Sequence, residues 1–360
     1  MSQAAATDRP GTPPLLPAWA LPAVAVSFFG AVALPLATYT AALALFGLAH
    51  VLSELRYVDH RFGARLRGGL LLPILLLIAA AALARLGGMA GWLGRDTAAG
   101  LELAFGAGLL AVVLRRGGGW AGRLLAGALG LALVTGAWAA PFLALVIFPV
   151  AHNVPPLALL AERFAAPRDR ARRRRVLAVA SLALIGLPLL IATGLPYGVL
   201  AAYGLAYPEA TLFPGGDLSM NLGVYVPSAW WEEDWALHAF SASVFAQCMH
   251  YVAVIGVLPR LIGPGDRPVL PWPPARRFGW AVIVAGGALA AGFALDYGMA
   301  RRIYAIAALV HAWLEIPILV LVVAAFPRST AIASPAPKEA AFAAAETASA
   351  RPQGNGKSRP

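Results

Sequence analysis

Long apolar runs separated by short polar connections make up most of the chain. Runs of about twenty residues match the ~30 Å hydrocarbon core of a bilayer, and the strict alternation of membrane strands is absent, so we expect helices. The pattern predicts an all-α, polytopic transmembrane bundle of about nine or ten spans. The predicted spans are 18–34, 35–57, 68–87, 97–114, 121–138, 141–163, 176–203, 235–260, 278–297 and 303–326. The first crosses completely only if a tight turn at Pro35 divides 18–57 in two.

Composition favours the same class. Of the 360 residues, 60% are hydrophobic and 12% are charged, which leaves too little polar surface to coat a water-soluble globule. We therefore expect an integral membrane domain over 18–327. The segment 1–17 and the tail 328–360, which is rich in Ala, Pro and Ser, have little to bury and are predicted to be disordered.

The formal net charge of +11 is concentrated in short connections rather than on one soluble face, so it does not indicate nucleic-acid binding. Arginines cluster in 58–67, 115–123, 164–175 and 261–277, which are alternate connections between the predicted spans. The positive-inside rule places these connections in the cytoplasm, together with the C-terminus. We expect a multi-pass protein of a bacterial inner membrane, in contact with membrane lipids.

Four of the six histidines lie at similar depth in four different predicted spans. Counted along each helix, His152 and His250 fall near the bilayer middle, His50 lies nearer the cytoplasm, and His311 lies slightly to the outer side. His238 is close to the outer boundary. An ionisable side chain at mid-membrane costs about 2.5–3.5 kcal/mol, so it usually faces the bundle interior and has a partner. These four histidines are the predicted metal ligands.

Two of the same spans add a glutamate one turn later, in "HVLSE" (His50, Glu54) and "HAWLE" (His311, Glu315). Residues four apart share a helix face, so each carboxylate can ligate a metal or orient an imidazole. Prolines 149, 155 and 156 flank His152 and predict a broken helix beside it.

A further polar group comes from "FAQCMHYVAV", in which Gln247 and His250 share a face and Tyr251 follows. We treat Glu54, Glu315, Gln247 and Tyr251 as candidate catalytic residues.

Imidazoles with added carboxylates favour non-haem iron, with copper or zinc as alternatives. Dioxygen and apolar molecules both concentrate in hydrocarbon. The leading hypothesis is therefore a membrane-embedded oxidoreductase, which would be an oxygenase, hydroxylase or desaturase. Its substrate would be a hydrophobic small molecule such as a lipid, isoprenoid or carotenoid, and its electron donor is unidentified.

The general plan is similar to that of the Brp/Blh carotenoid-cleaving dioxygenases, and "VHAWLEIPILVLVV" as a last helix with a histidine and an acid carries the resemblance. That resemblance implies iron held by histidines of several helices. The chain lacks Pro-His-Gly-Ala-type and His-Phe-Gly-type motifs around His50 and His152, and it lacks the clustered histidine boxes of fatty-acid desaturases. The likeness is one of design and implies no family membership.

Three alternatives use the same residues differently. A proton- or ion-coupled transporter would use the histidines and glutamates as a relay, with the proline-broken segment 149–156 as a gate. A b-type haem protein would use two histidines as axial ligands. A non-catalytic assembly factor would use them only in hydrogen bonds between helices, which is the commoner role of any one of these histidines taken alone.

Overall fold

The computed structural model describes residues 18–67, 69–115, 119–166, 169–214, 216–263 and 265–325. The segment 1–17 and the tail 328–360 lie outside these ranges. The helices are α1 (Ala20–Ala33), α2 (Pro35–Leu66), α3 (Leu71–Met89), α4 (Arg95–Leu114), α5 (Trp120–Ala139), α6 (Pro141–Ala151), α7 (Pro156–Arg163), α8 (Arg170–Ala192), α9 (Leu195–Ala202), α10 (Leu218–Leu222), α11 (Asp234–Leu261), α12 (Ala275–Leu295) and α13 (Tyr297–Ala325). No strand occurs in the described ranges, which confirms the all-α prediction.

Eight of the described helices are long and apolar enough to cross a membrane, and α6 with α7 makes a ninth if the bent pair is counted as one span. These helices indicate a multi-pass membrane protein. A complete crossing by the first predicted span, 18–34, is not supported, because α1 has 14 residues and extends only about 21 Å. The predicted span 176–203 is also divided, since Gly194 turns the chain between α8 and α9 with φ of +74°.

Three helices, α2, α11 and α13, form the centre of the bundle. In their most apolar stretches 67%, 78% and 50% of the residues are buried, against 11% in α5, 11% in α8 and 17% in α12. The central helices carry the polar side chains of the apolar segments, and these avoid hydrocarbon by facing one another. The outer helices present exposed Leu, Val and Trp side chains, which suit contact with lipid.

The chain breaks between α6 and α7, where the two helix axes differ by 42°. Pro155 and Pro156 lack amide donors there, so the regular helical hydrogen bonds cannot continue. The backbone amide of Asn153 donates to the carbonyl oxygen of Val150, and its side-chain amide donates to the carbonyl oxygen of Pro149 at 3.0 Å instead. The predicted break beside His152 is confirmed.

Ion pairs join three connections at one end of the bundle. Arg61, near the end of α2, lies 2.8 Å from Glu162 in α7 and 3.0 Å from Asp266 after α11. Asp59 accepts hydrogen bonds from the amides of Val269 and Leu270 and from the indole of Trp272. Arginine-rich connections after α2, α7 and α11 therefore meet at the same end. That this end faces the cytoplasm stays a prediction.

Candidate metal centre

The four predicted histidines meet in the middle of the bundle. His50 comes from α2, His152 from the break after α6, His250 from α11 and His311 from α13. One ring nitrogen from each lies within 4.8 Å of those of the other three. His50, His250 and His311 are buried, and His152 is partly buried. Helices distant in sequence thus bring four imidazoles to one point.

The closest contacts involve one nitrogen of His311. Its Nε2 lies 3.0 Å from Nε2 of His50 and 2.9 Å from Nε2 of His152. A neutral imidazole nitrogen has either one proton or one lone pair in the ring plane, so it cannot form two linear hydrogen bonds at once. A shared cation can accept a lone pair from each of the three nitrogens. The crowding therefore fits a metal ion better than mutual hydrogen bonding.

The spacing also bears on coordination. Metal–nitrogen bonds of ~2.1 Å at right angles place neighbouring ligand atoms ~3.0 Å apart, whereas a tetrahedron places them ~3.4 Å apart. The two short separations, 2.9 Å and 3.0 Å, match the right-angled arrangement. Right angles occur in both square-planar and octahedral sites, so the spacing alone does not determine the number of coordination positions.

Two buried carboxylates lie against the cluster, and neither contacts the histidine of its own helix. Oε2 of Glu315 lies 2.7 Å from Nδ1 of His152. Oε2 of Glu54 lies 3.4 Å from Nε2 of His250 and 4.0 Å from Nε2 of His311. Glu315 is therefore placed to fix the ring of His152 with its Nε2 towards the cluster. Glu54 lies beside Nε2 of His250 and Nε2 of His311, the nitrogens that would bind the metal.

Two ring nitrogens of this cluster, Nδ1 of His50 and Nδ1 of His250, are buried without a hydrogen-bond partner. Glu54 is buried as well, and its contacts are with other members of the cluster: His250, His311 and the carboxyl group of Glu315. Leaving such a group unpaired costs about 1–3 kcal/mol, and more for a charged one. A cation among the Nε2 atoms would compensate His250 and Glu54, so the donor set fits a metal ion.

Gln247 and Tyr251 belong to a chain of side chains beside the cluster. Tyr225 donates to the side-chain oxygen of Gln247 at 2.8 Å, and the Gln247 amide donates to the Tyr251 hydroxyl at 2.6 Å. That hydroxyl lies 3.3 Å from the hydroxyl of Tyr304. The Tyr251 ring stacks on His50, with centroids 4.2 Å apart. Gln247 thus positions phenols, and Tyr251 supports an imidazole; catalytic roles for either stay predictions.

One ion pair near the site could hardly be predicted from the sequence. Arg85 in α3 and Glu102 in α4 form two short contacts of 2.8 Å and 2.6 Å, and the indole of Trp313 donates to the same carboxylate at 3.0 Å. Trp313 stacks on Phe148, with centroids 4.6 Å apart, and Phe148 precedes His152 by one turn. In the sequence, Glu102 stands out as an acid within an apolar run, but which residue pairs with it depends on how the helices pack.

Two histidines lie outside the cluster. His238, expected near the outer boundary, packs its ring on Tyr197 with centroids 5.3 Å apart. Nδ1 of His60 lies 2.8 Å from the carbonyl oxygen of Arg56 one turn earlier. Both serve as natural comparisons for the four clustered histidines.

A cavity of about 240 Å³ is lined by all four clustered histidines, and its wall also includes Tyr39, Tyr225, Tyr304 and Arg301. A second cavity of about 440 Å³ lies among α5, α6 and α13 and is almost wholly apolar. It reaches His152 and Glu315 from the side of the outer helices. The cluster therefore borders two cavities, one with tyrosines and arginines in its wall and one that is almost wholly apolar.

Comparisons with known proteins do not assign this arrangement to a family. No protein-family model matches the chain, and no curated protein or solved structure does. The functional interpretation therefore depends on the geometry of the histidine cluster.

Proposed function

We propose that the chain is a membrane-embedded, metal-dependent oxidoreductase in which His50, His152, His250 and His311 hold a non-haem iron. The observation that carries the proposal is the contact of one His311 nitrogen with two other imidazole nitrogens, 3.0 Å and 2.9 Å away. In a buried site with two carboxylates, a metal ion is the simplest group that satisfies these atoms together.

Iron suits this donor set because imidazole and carboxylate ligands are typical of non-haem iron. Copper and zinc also accept imidazole, so metal analysis decides among the three. The bound metal would supply oxygen chemistry. The apolar cavity beside His152 would admit dioxygen from the bilayer, and the substrate would be a lipid, isoprenoid or carotenoid.

The side chains around the cluster have separate tasks in this proposal. Glu315 orients His152, and Glu54 either ligates the metal or accepts a proton beside it. Tyr251 holds the ring of His50 by stacking.

A dioxygenation needs no further reductant, because both oxygen atoms and all their electrons end in the product. A hydroxylation or desaturation consumes two more electrons, which a separate donor would deliver at the arginine-rich, cytoplasmic end of a protein of the bacterial inner membrane.

Metal analysis of the purified full chain tests the proposal. We expect one metal ion per chain in the wild type and its loss in His311→Ala and His250→Ala. His238→Ala is the matched control, because it removes an imidazole from the same helix as His250 but outside the cluster, and it retains the metal. A wild-type protein without metal after reconstitution with Fe²⁺, Cu²⁺ and Zn²⁺ would contradict the proposal.

A transporter is the second candidate, because the 42° break between α6 and α7 places His152 at a discontinuous helix. Transporters use such broken helices at their substrate sites. Ion uptake into proteoliposomes, blocked by His152→Ala and without substrate-dependent oxygen consumption, would favour it. A haem is disfavoured by the convergence of four imidazoles, since haem iron offers two axial positions. The purified protein should therefore lack a haem absorption band.

A further inference from the structure

Arg301 contributes a guanidinium without a counter-charge to the wall of the polar cavity. It is partly buried, and its polar partners among the described residues are uncharged: the carbonyl oxygen of Met220 at 3.3 Å and the hydroxyl of Tyr39. Among the described residues, no carboxylate forms an ion pair with it. Asp217, on the same connection as Met220, is already held by the hydroxyl of Ser219 and the amide of Met220.

Arg85, which also lines this cavity, is an example of a guanidinium with a counter-charge. Arg85 is matched by Glu102, at 2.6 Å and 2.8 Å. Arg301 lines the same cavity without such a carboxylate among the described residues, so its guanidinium is available to bind an anion.

The hydroxyl of Tyr39 lies beside this guanidinium and adds a donor for an anion. The buried ring of Tyr39 packs edge-on against Tyr225, with centroids 6.0 Å apart, and both line the cavity. Arginine with a neighbouring phenol can bind both oxygens of a carboxylate through charge-assisted hydrogen bonds. The chemistry at this end of the cavity thus differs from the metal-ligating chemistry at the other.

The distance between the two ends restricts the ligand. Arg301 and His311 belong to the same helix and are ten residues apart, which corresponds to about 15 Å along its axis. The cavity volume of about 240 Å³ is below the roughly 300–1,000 Å³ of pockets that enclose drug-sized ligands. The space suits one slender chain rather than a lipid with two chains.

We infer that the substrate of this site is a single-chain amphiphile with one carboxylate, which Arg301 and Tyr39 bind while the chain extends towards the four histidines. This inference rests on the proposed function for the identity of the metal end, but the binding of the carboxylate is a separate claim. A phosphate head group shares the anionic chemistry, and the test below separates it from a carboxylate.

Equilibrium binding of radiolabelled dodecanoate to the full chain in neutral detergent tests the inference. Methyl dodecanoate, dodecyl phosphate and a two-chain phosphatidylglycerol serve as competitors. The variants are Arg301→Gln, Arg301→Lys and Tyr39→Phe. Arg302→Gln is the matched control, because it removes the neighbouring positive charge, which is exposed and lies outside the cavity lining. Metal content is measured on every sample.

We expect saturable binding by the wild type and at least about ten-fold weaker competition by the methyl ester, since a charge-assisted hydrogen bond is lost. Arg301→Gln should weaken dodecanoate binding by about ten-fold and remove the preference for the acid over the ester. Arg301→Lys and Tyr39→Phe should retain part of the preference for the acid over the ester. Arg302→Gln should bind as the wild type does.

Equal binding of acid and ester by the wild type, or equal losses in Arg301→Gln and Arg302→Gln, would overturn the inference. Stronger competition by dodecyl phosphate or by phosphatidylglycerol would replace the carboxylate with a phosphate or a lipid head group. Unchanged metal content in Arg301→Gln shows that the variant is folded. A wild type without metal that still discriminates acid from ester would refute the proposed function and leave this inference standing.

Discussion

Replacing Glu315 with glutamine exchanges the carboxyl group beside His152 for an amide and keeps the shape of the side chain. In the native protein its carboxylate lies 2.7 Å from Nδ1 of His152, the distance of a charge-assisted hydrogen bond. Groups that orient a metal-ligating histidine in this way typically contribute 10–100-fold to metal affinity, about 1.4–2.8 kcal/mol. Glutamine can still present an oxygen to Nδ1, so Glu315→Gln should weaken metal binding by about ten-fold, and Glu315→Ala by about a hundred-fold.

Competition of purified protein with a chelator for Fe²⁺ under anaerobic conditions, and for Co²⁺ as a spectroscopic substitute, measures this affinity. Glu102→Gln is the matched control, because it makes the same exchange at another buried carboxyl group of the bundle, one that pairs with Arg85 rather than with a histidine. Folded Glu102→Gln protein should retain wild-type affinity. Unchanged affinity in Glu315→Gln, or equal losses in both variants, would refute the orienting role.

Three further predictions concern the packing around the site. Glu102→Gln leaves Arg85 without its counter-charge; breaking a buried pair costs about 3–5 kcal/mol, which we reduce to about 2 kcal/mol because Arg85 is 25% exposed, and thermal unfolding in detergent should show the loss. Gly106→Val should reduce the yield of folded protein because a Cβ there would overlap the indole of α13, whereas Gly127→Val, with open space around it, should be tolerated. Asp59→Ala removes the acceptor of three donors after α11, so limited proteinase K digestion should cleave that connection faster than in the wild type.

The bundle and the depth of its histidines could be predicted from sequence because both depend on regular quantities. Apolar length determines which helices can span, and a rise of 1.5 Å per residue determines where His152 and His250 fall along them. The first span failed because α1 ends at Ala33, and Pro35 begins a new helix immediately afterwards. Hydropathy alone could not separate a short helix from a complete crossing.

The pairing of side chains across helices could not be predicted. Spacing placed Glu315 on the face of His311, yet its carboxylate contacts His152 of another helix. Such contacts depend on how each helix is rotated about its own axis, and the pattern of apolar residues determines this only weakly in a bundle whose outer face is also apolar. Because helix rotation was unknown, the pairing of Arg85 with Glu102 and the position of Arg301 in the cavity wall could not be predicted either.

X-ray absorption at the metal edge of the purified, reconstituted wild-type protein tests the central claim most directly. The account predicts nitrogen scatterers at ~2.1 Å with the outer-shell pattern of about four imidazoles, reduced in His250→Ala and unchanged in His238→Ala. A spectrum dominated by oxygen or sulfur, or one that is identical in the wild type and His250→Ala, would contradict the existence of a four-histidine metal centre.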